Sequence, residues 1–127
     1  MASKPIALDA ADAAMRKTKS NYPEKFVARL GERVKRPLGD PFGLTIFGVN
    51  ITTLPRGAMS ALRHAHTKQD EFIYVLEGTL VTHRGEFGPG SFVWFPEGEV
   101  MEHGASADGD VTAVFITNKP FRIDYEP

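Results

Sequence analysis

From Leu44 onward the chain is a series of short β-branched and aromatic runs separated by glycine, proline and aspartate, the texture of strands joined by turns. Leu44 to Leu54 is a long β-rich run, with Gly48 placed where a bulge would fall. Pro55-Arg56-Gly57 turns the chain, Met59 to His66 predicts a strand, and Glu71 to Leu76 predicts the next, closed by the bend at Glu77-Gly78. Thr79 to Thr82 pairs with Glu86-Phe87 across a connection centred on Arg84-Gly85, and Gly88-Pro89-Gly90 turns again. Ser91-Phe92-Val93-Trp94-Phe95 is apolar on both parities, which predicts burial on both faces. Pro96 to Glu99 is a turn, Val100 to Ala105 a strand, Asp108-Gly109-Asp110 a loop and Val111 to Thr117 a last full strand. No helical periodicity follows Pro41, so the pattern predicts an all-β sandwich or barrel.

The N-terminal part reads differently. Leu8 to Lys17 has good helix formers and acids ahead of bases, yet only Leu8, Ala11 and Met15 form an apolar stripe. A short helix and an extended arm are equally compatible with it. Tyr22-Pro23-Glu24 is held extended by its proline, so residues 1–22 are expected to be an arm and residues 23–127 a single barrel domain. Phe26 to Leu30 is strand-like. Arg33, Lys35 and Arg36 form either a solvated face or the rim of a pocket for an anion, and Pro37 with Gly39-Asp40-Pro41 marks a loop. In Glu71 to Leu76 one face is Glu71, Ile73 and Val75 and the other is Phe72, Tyr74 and Leu76. With the glutamate inward, the aromatic face needs a cover, for which the arm or a second subunit is the natural candidate; a homodimer is expected.

Composition narrows the chemistry. At 127 residues the chain is long enough for one domain with its own core. A formal net charge of −1 argues against a nucleic-acid partner. No apolar run reaches membrane length and no signal-peptide core is visible, so no membrane partner and a cytoplasmic location are expected. There is no cysteine, which leaves histidine and carboxylate as the strong metal ligands.

His64 and His66, one residue apart, share a face only on a strand, and Glu71 follows at the mouth of the next strand. Two imidazoles and a carboxylate converging from neighbouring strands are part of a metal site. Of the remaining histidines, His83 sits at a hairpin tip and reads as an exposed turn residue. His103, sharing a strand face with Met101 and Ala105, is the plausible third imidazole.

These residues carry a family resemblance. Gly57 followed by His64-x-His66-x4-Glu71-x6-Gly78 resembles the first motif of the cupin superfamily, and Gly90-x5-Pro96-x-Gly98 followed by a histidine resembles the second. Asp70 to Gly78 and Phe47-Gly48-Val49-Asn50 are similar to bacterial single-domain (cupin type 2) proteins of uncharacterised function, over roughly Tyr22 to the end. The second motif departs from pattern: Met101 stands where the usual histidine would, and His103 comes two residues later, a shift that keeps strand parity. The usual downstream asparagine is not at its spacing, and the Gly78 to Gly90 connection is short. The resemblance implies a double-stranded β-helix, a jelly-roll barrel, with the metal inside near one mouth.

Three neutral imidazoles and a carboxylate suit one divalent transition metal (Fe, Mn, Ni, Zn or Cu), and ligand type alone does not choose among them. The expected pocket is mostly apolar: Phe47, Met59, Trp94, Met101 and Phe115. The protein is therefore expected to bind or act on a small molecule, as a metal-dependent dioxygenase or isomerase, including an isomerase of a sugar or sugar phosphate, or as a non-catalytic binding or sensor protein. Arg56, Arg63 and Lys68 lie near the first motif, with Arg63 at outward parity. Tyr74 and Glu99 are the nearest candidates for a titratable group beside the metal.

Overall fold

The computed structural model describes residues 7–15, 33–66, 69–118 and 123–125, without the side chains of residues 60–64, 66 and 123–125. The strand-like Phe26 to Leu30 and the Tyr22-Pro23 boundary lie outside the described residues, as does Lys68. Ten strands are present among the described residues: β1 (Val34–Pro37), β2 (Phe47–Leu54), β3 (Met59–His66), β4 (Glu71–Glu77), β5 (Leu80–Thr82), β6 (Gly85–Phe87), β7 (Phe92–Phe95), β8 (Met101–Ala105), β9 (Val111–Asn118) and β10 (Ile123–Tyr125). They form two antiparallel five-stranded sheets, ordered β1-β2-β9-β4-β7 and β10-β3-β8-β5-β6. This is a jelly-roll barrel whose core lies between the sheets.

Alternation explains the core. In β4, Glu71, Ile73 and Val75 are buried while Phe72, Tyr74 and Leu76 face outward. Val111, Ala113 and Phe115 point inward from β9, Val93 and Phe95 from β7, and Met101 and Ala105 from β8; with Leu54 and Leu80 they make one continuous cluster. The bend after β4 is tight. Gly78 has φ +77, and a Cβ there would stand 2.0 Å from the carbonyl oxygen of Asp110. Only glycine lets the two backbones approach this closely.

Three expectations change. The β2–β9 register runs unbroken from Phe47 opposite Asn118 to Leu54 opposite Val111, so Gly48 marks no bulge; irregularities fall instead in β3 and late in β4. β7 is not buried on both faces. It ends its sheet among the described residues, and Phe92 and Trp94 are 67% and 58% exposed. Pro37 closes a strand, Val34–Pro37, rather than lying in the loop, and it sits where an edge strand tolerates a proline. Among the described residues of the N-terminal arm a 3₁₀ turn forms at Ala10–Asp12, with the Asp9 carboxylate accepting from Ala11 N–H. Arg36 donates to the Ala13 carbonyl beneath it, which uses this arginine to seat the N-terminal segment against the outer face of β1 and β2.

Candidate metal centre

Two of the expected ligands meet inside the barrel. Glu71 opens β4 opposite Phe95 and Thr117 in one sheet, and His103 lies mid-β8 opposite Thr82 and Ala61 in the other. Their side chains cross the gap between the sheets, with His103 Nε2 3.3 Å from Glu71 Oε2. Both residues are buried, at 2% and 7% exposure. A carboxylate and an imidazole are kept this dry only when each compensates the other or both serve a third charge. Aromatic rings wall the histidine: Phe95 stacks on it at 5.7 Å between centroids and Phe115 tilts against it at 5.6 Å.

The loop entering β4 is pinned so that Glu71 is presented at a fixed height. The Gln69 amide, itself fully buried, donates to the Asn118 carbonyl, and Asp70 N–H donates to Asn118 Oδ1 at 2.8 Å. Asp70 Oδ1 in turn accepts from Glu97 N–H at 3.3 Å, which ties the loop to the turn after β7. Sequence pattern did not single out Gln69 or Asn118. Their polar types in a β-rich run, far apart in the chain, carry no local signal.

The β3 backbone brings His64 opposite Met101 of β8 and opposite Tyr125 of β10, and His66 opposite Ile123. The His64 and His66 side chains, and that of Arg63, lie outside the described residues. Among the described residues no group of three or more histidine or acidic side chains converges on one point.

Of the expected pocket residues, Met101 and Phe115 are buried in the interior. The other three are not there. Trp94 shares the outward parity of Phe92, because Val93 and Phe95 take the inner face of β7. Phe47 shares the outer parity of Ile51 and Thr53, which line a recess under the N-terminal turn, and is 40% exposed. Met59 lays its sulfur where a Gly104 side chain would project, on the face of β8 opposite His103. Tyr74 is on the outer face of β4, and Arg56 is an exposed turn residue whose N–H donates to Asp110 Oδ1.

His83 is an exposed residue of the β5–β6 turn, as its place at the hairpin tip predicts, but its ring is only partly exposed. It follows Thr82 at the β5–β6 hairpin, yet its ring folds back onto Phe95, 5.5 Å between centroids, on the ring that also stacks against His103. Its side chain is 22% exposed. The hairpin's short connection brings this about: Thr82 Oγ1 donates to the Gly85 carbonyl and accepts from Arg84 N–H, closing the turn tightly.

Two facing antiparallel sheets enclosing a buried imidazole–carboxylate pair define a barrel of the jelly-roll class. A family model for the cupin domain matches residues 50–117, and the chain belongs to that family. Among solved structures it is similar to a sugar phosphate isomerase from the cupin superfamily of Silicibacter pomeroyi, at 35% identity over 94% of this chain and 81% of that one, with a TM-score of 0.79. It shares its fold with the polyketide cyclase RemF of Streptomyces resistomycificus (21% identity, 95% and 86% covered, TM-score 0.72). The same holds for a cupin-like protein of Thermotoga maritima (22% identity, 76% and 77% covered, TM-score 0.64). No curated protein matches the sequence. No helix among the described residues is long and apolar enough to cross a membrane.

Proposed function

We propose that His64, His66, Glu71 and His103 hold one divalent transition metal and that the protein isomerises a phosphorylated sugar at that site. The observation that carries the metal reading is the buried Glu71–His103 contact. Its 3.3 Å separation is longer than the usual charge-assisted hydrogen bond of about 2.7–2.9 Å. It suits two neighbouring donors on one ion with bonds of about 2.1 Å. Donor chemistry fits as well, since imidazole nitrogen and carboxylate oxygen are what Fe, Mn, Ni, Zn and Cu accept. Such an ion supplies Lewis acidity to a carbonyl or hydroxyl oxygen. The chain contributes a dry, aromatic-walled interior from Phe95, Met101 and Phe115, which strengthens electrostatic interactions and excludes water. The Gln69–Asn118 and Asp70–Asn118 bonds hold the glutamate in place.

The choice of a sugar phosphate rests on the similarity to the Silicibacter pomeroyi isomerase. The apolar lining favours a second reading, a metal-assisted binder of a small apolar molecule without turnover. Elemental analysis of purified protein should give close to one transition metal per chain, and His66→Ala should lose it; full occupancy in that variant refutes the site. Metal-loaded protein incubated with aldose and ketose phosphates and followed by NMR then separates enzyme from binder.

We also propose a cytoplasmic homodimer that buries the outer face of β4 and β7. Tyr74 and Leu76, each 40% exposed, adjoin the exposed Phe92 and Trp94, an apolar face that a second subunit would cover.

A further inference from the structure

Among the described residues, nothing requires a glycine at position 48. Glycine inside a strand weakens it, and it marks a bulge, a left-handed residue, or the close approach of another backbone or a ligand. The β2–β9 register runs unbroken through Gly48, so there is no bulge. Its φ is not in the left-handed region, unlike that of Gly43 or Gly57. A Cβ at Gly48 would stand 3.5 Å from Thr117 Oγ1 and 4.0 Å from the Thr117 carbonyl oxygen, both ordinary contacts, with no other atom of the described residues within 4 Å. Alanine would fit. Close approach of a ligand is the reason that remains.

The space over Gly48 lies on the inner face of the barrel, level with the proposed metal centre. Gly48 shares the inward parity of the buried Thr52 and Leu54. It pairs with Thr117, which pairs on its other side with Glu71. One step further along β2, Asn50 pairs with Phe115. Two polar groups flank the space. The Thr117 hydroxyl leans over the glycine and makes no hydrogen bond among the described residues. Asn50 Oδ1 accepts from Thr52 Oγ1 at 2.6 Å, while the Asn50 amide nitrogen donates to no group among the described residues. Gly48, Asn50 and Thr117 are each partly exposed, so solvent reaches them.

We propose that Gly48, Asn50 and Thr117 form the ligand-seating wall of the pocket, and that this wall takes the hydroxylated carbon chain of a sugar. A ligand carbon occupies the space a Cβ would fill. Its hydroxyl oxygens accept from the Asn50 amide and share a hydrogen bond with Thr117 Oγ1, which can both donate and accept. Directly opposed residues on one sheet face stand about 4.5–5.5 Å apart between Cβ atoms, so a ligand held by Thr117 lies beside Glu71 and the proposed ion. The buried Phe95, Met101 and Phe115 elsewhere in the interior are apolar, so this wall sets the ligand's orientation. A side chain at position 48 would displace the ligand, which makes Gly48 a specificity-determining residue.

The wall rests on the sugar reading proposed for the site, and its test is kept separate from that of the metal. Zinc-loaded wild type, Gly48→Ala and Thr117→Val are titrated with glucose 6-phosphate, ribose 5-phosphate and inorganic phosphate. Affinity is measured, and NMR follows the Thr117 methyl and Asn50 side-chain amide resonances. Zinc content and the melting temperature of the metal-free form are measured for each protein. Gly48→Ala should melt at or above the wild-type temperature, because alanine adopts the same backbone and leaves the unfolded chain less freedom. It should nevertheless bind sugar phosphate about tenfold or more weakly. Thr117→Val, nearly the same shape without the hydroxyl, should bind at least about threefold more weakly, and both variants should keep their zinc. In wild type the sugar phosphates, and not inorganic phosphate, should move both resonances. A Gly48→Ala melting temperature clearly below wild type overturns the inference, since the fold itself would then need the glycine. Sugar phosphate affinity unchanged in both variants overturns it too, as do wild-type resonances that neither sugar phosphate moves. Wild type that holds no zinc counts against the metal centre alone, and the same titrations of metal-free protein then decide the wall.

Discussion

Replacing Gly78 by alanine tests whether the tight bend after β4 is a matter of backbone conformation or of close approach. Gly57 supplies the control: its φ of +74 nearly equals the +77 of Gly78, yet a Cβ there meets nothing within 4 Å. Gly57→Ala therefore carries only the left-handed penalty of about 1–2 kcal/mol, offset in part by the entropy alanine removes from the unfolded chain, for a net loss of about 1 kcal/mol. Gly78→Ala shares both contributions and adds an overlap. Its Cβ would lie 2.0 Å from the Asp110 oxygen and 2.9 Å from Val111 Cα, so the Asp110 backbone must retreat by more than about 1 Å to reach normal contact. That retreat strains the Arg56 N–H bond to Asp110 Oδ1 and the buried Val111 paired with Leu54. The added cost is on the order of 3 kcal/mol. Urea denaturation of both metal-free variants gives the difference directly, with unchanged m-values expected. A Gly78→Ala destabilisation within about 1 kcal/mol of that of Gly57→Ala would refute the close-approach argument.

Phe95→Ala should destabilise by about 3–5 kcal/mol in the same assay, since the ring is fully buried, stacks on the His103 imidazole and meets that of His83 at a tilt. A cost below about 1.5 kcal/mol would mean that the ring does not pack as described. Asn118→Ala should lower stability by about 1–2 kcal/mol and weaken metal binding, checked by competition with a chelator, because Asp70 N–H loses its acceptor beside Glu71. Lysine at both Phe92 and Trp94 should shift the protein from dimer to monomer in sedimentation velocity at micromolar concentration; a wild-type monomer there removes the dimer altogether.

The strands were legible because their alternation is strong. β4 reads inward and outward residue by residue, and the turn residues mark its ends. Glu71 and His103 were legible as inward-facing for the same reason. Alternation failed at β7, where apolar residues occupy both faces: an exposed tryptophan has the same letter as a buried one, and only the neighbouring strands decide which it is. Phe47 and Met59 were assigned to the pocket on residue type, but β2 parity and the bare backbone of Gly104 direct them elsewhere. The basic Val34 to Pro37 hid a strand because edge strands tolerate charge and proline. The turn position of His83 was legible, but the packing of its ring was not: it depends on the conformation of a two-residue turn, and nothing in the pattern says that a turn side chain folds back over the core.

Glu71 and His103 come from opposite sheets, and that has a consequence for how the ion could be identified. Any ion gripping both residues acts as a rivet between the two halves of the barrel, and unfolding must release it. At a free concentration one hundred times its dissociation constant, such an ion adds about 2.7 kcal/mol of stability. A melting curve recorded against a series of divalent metals would then rank them by affinity, before any substrate is known.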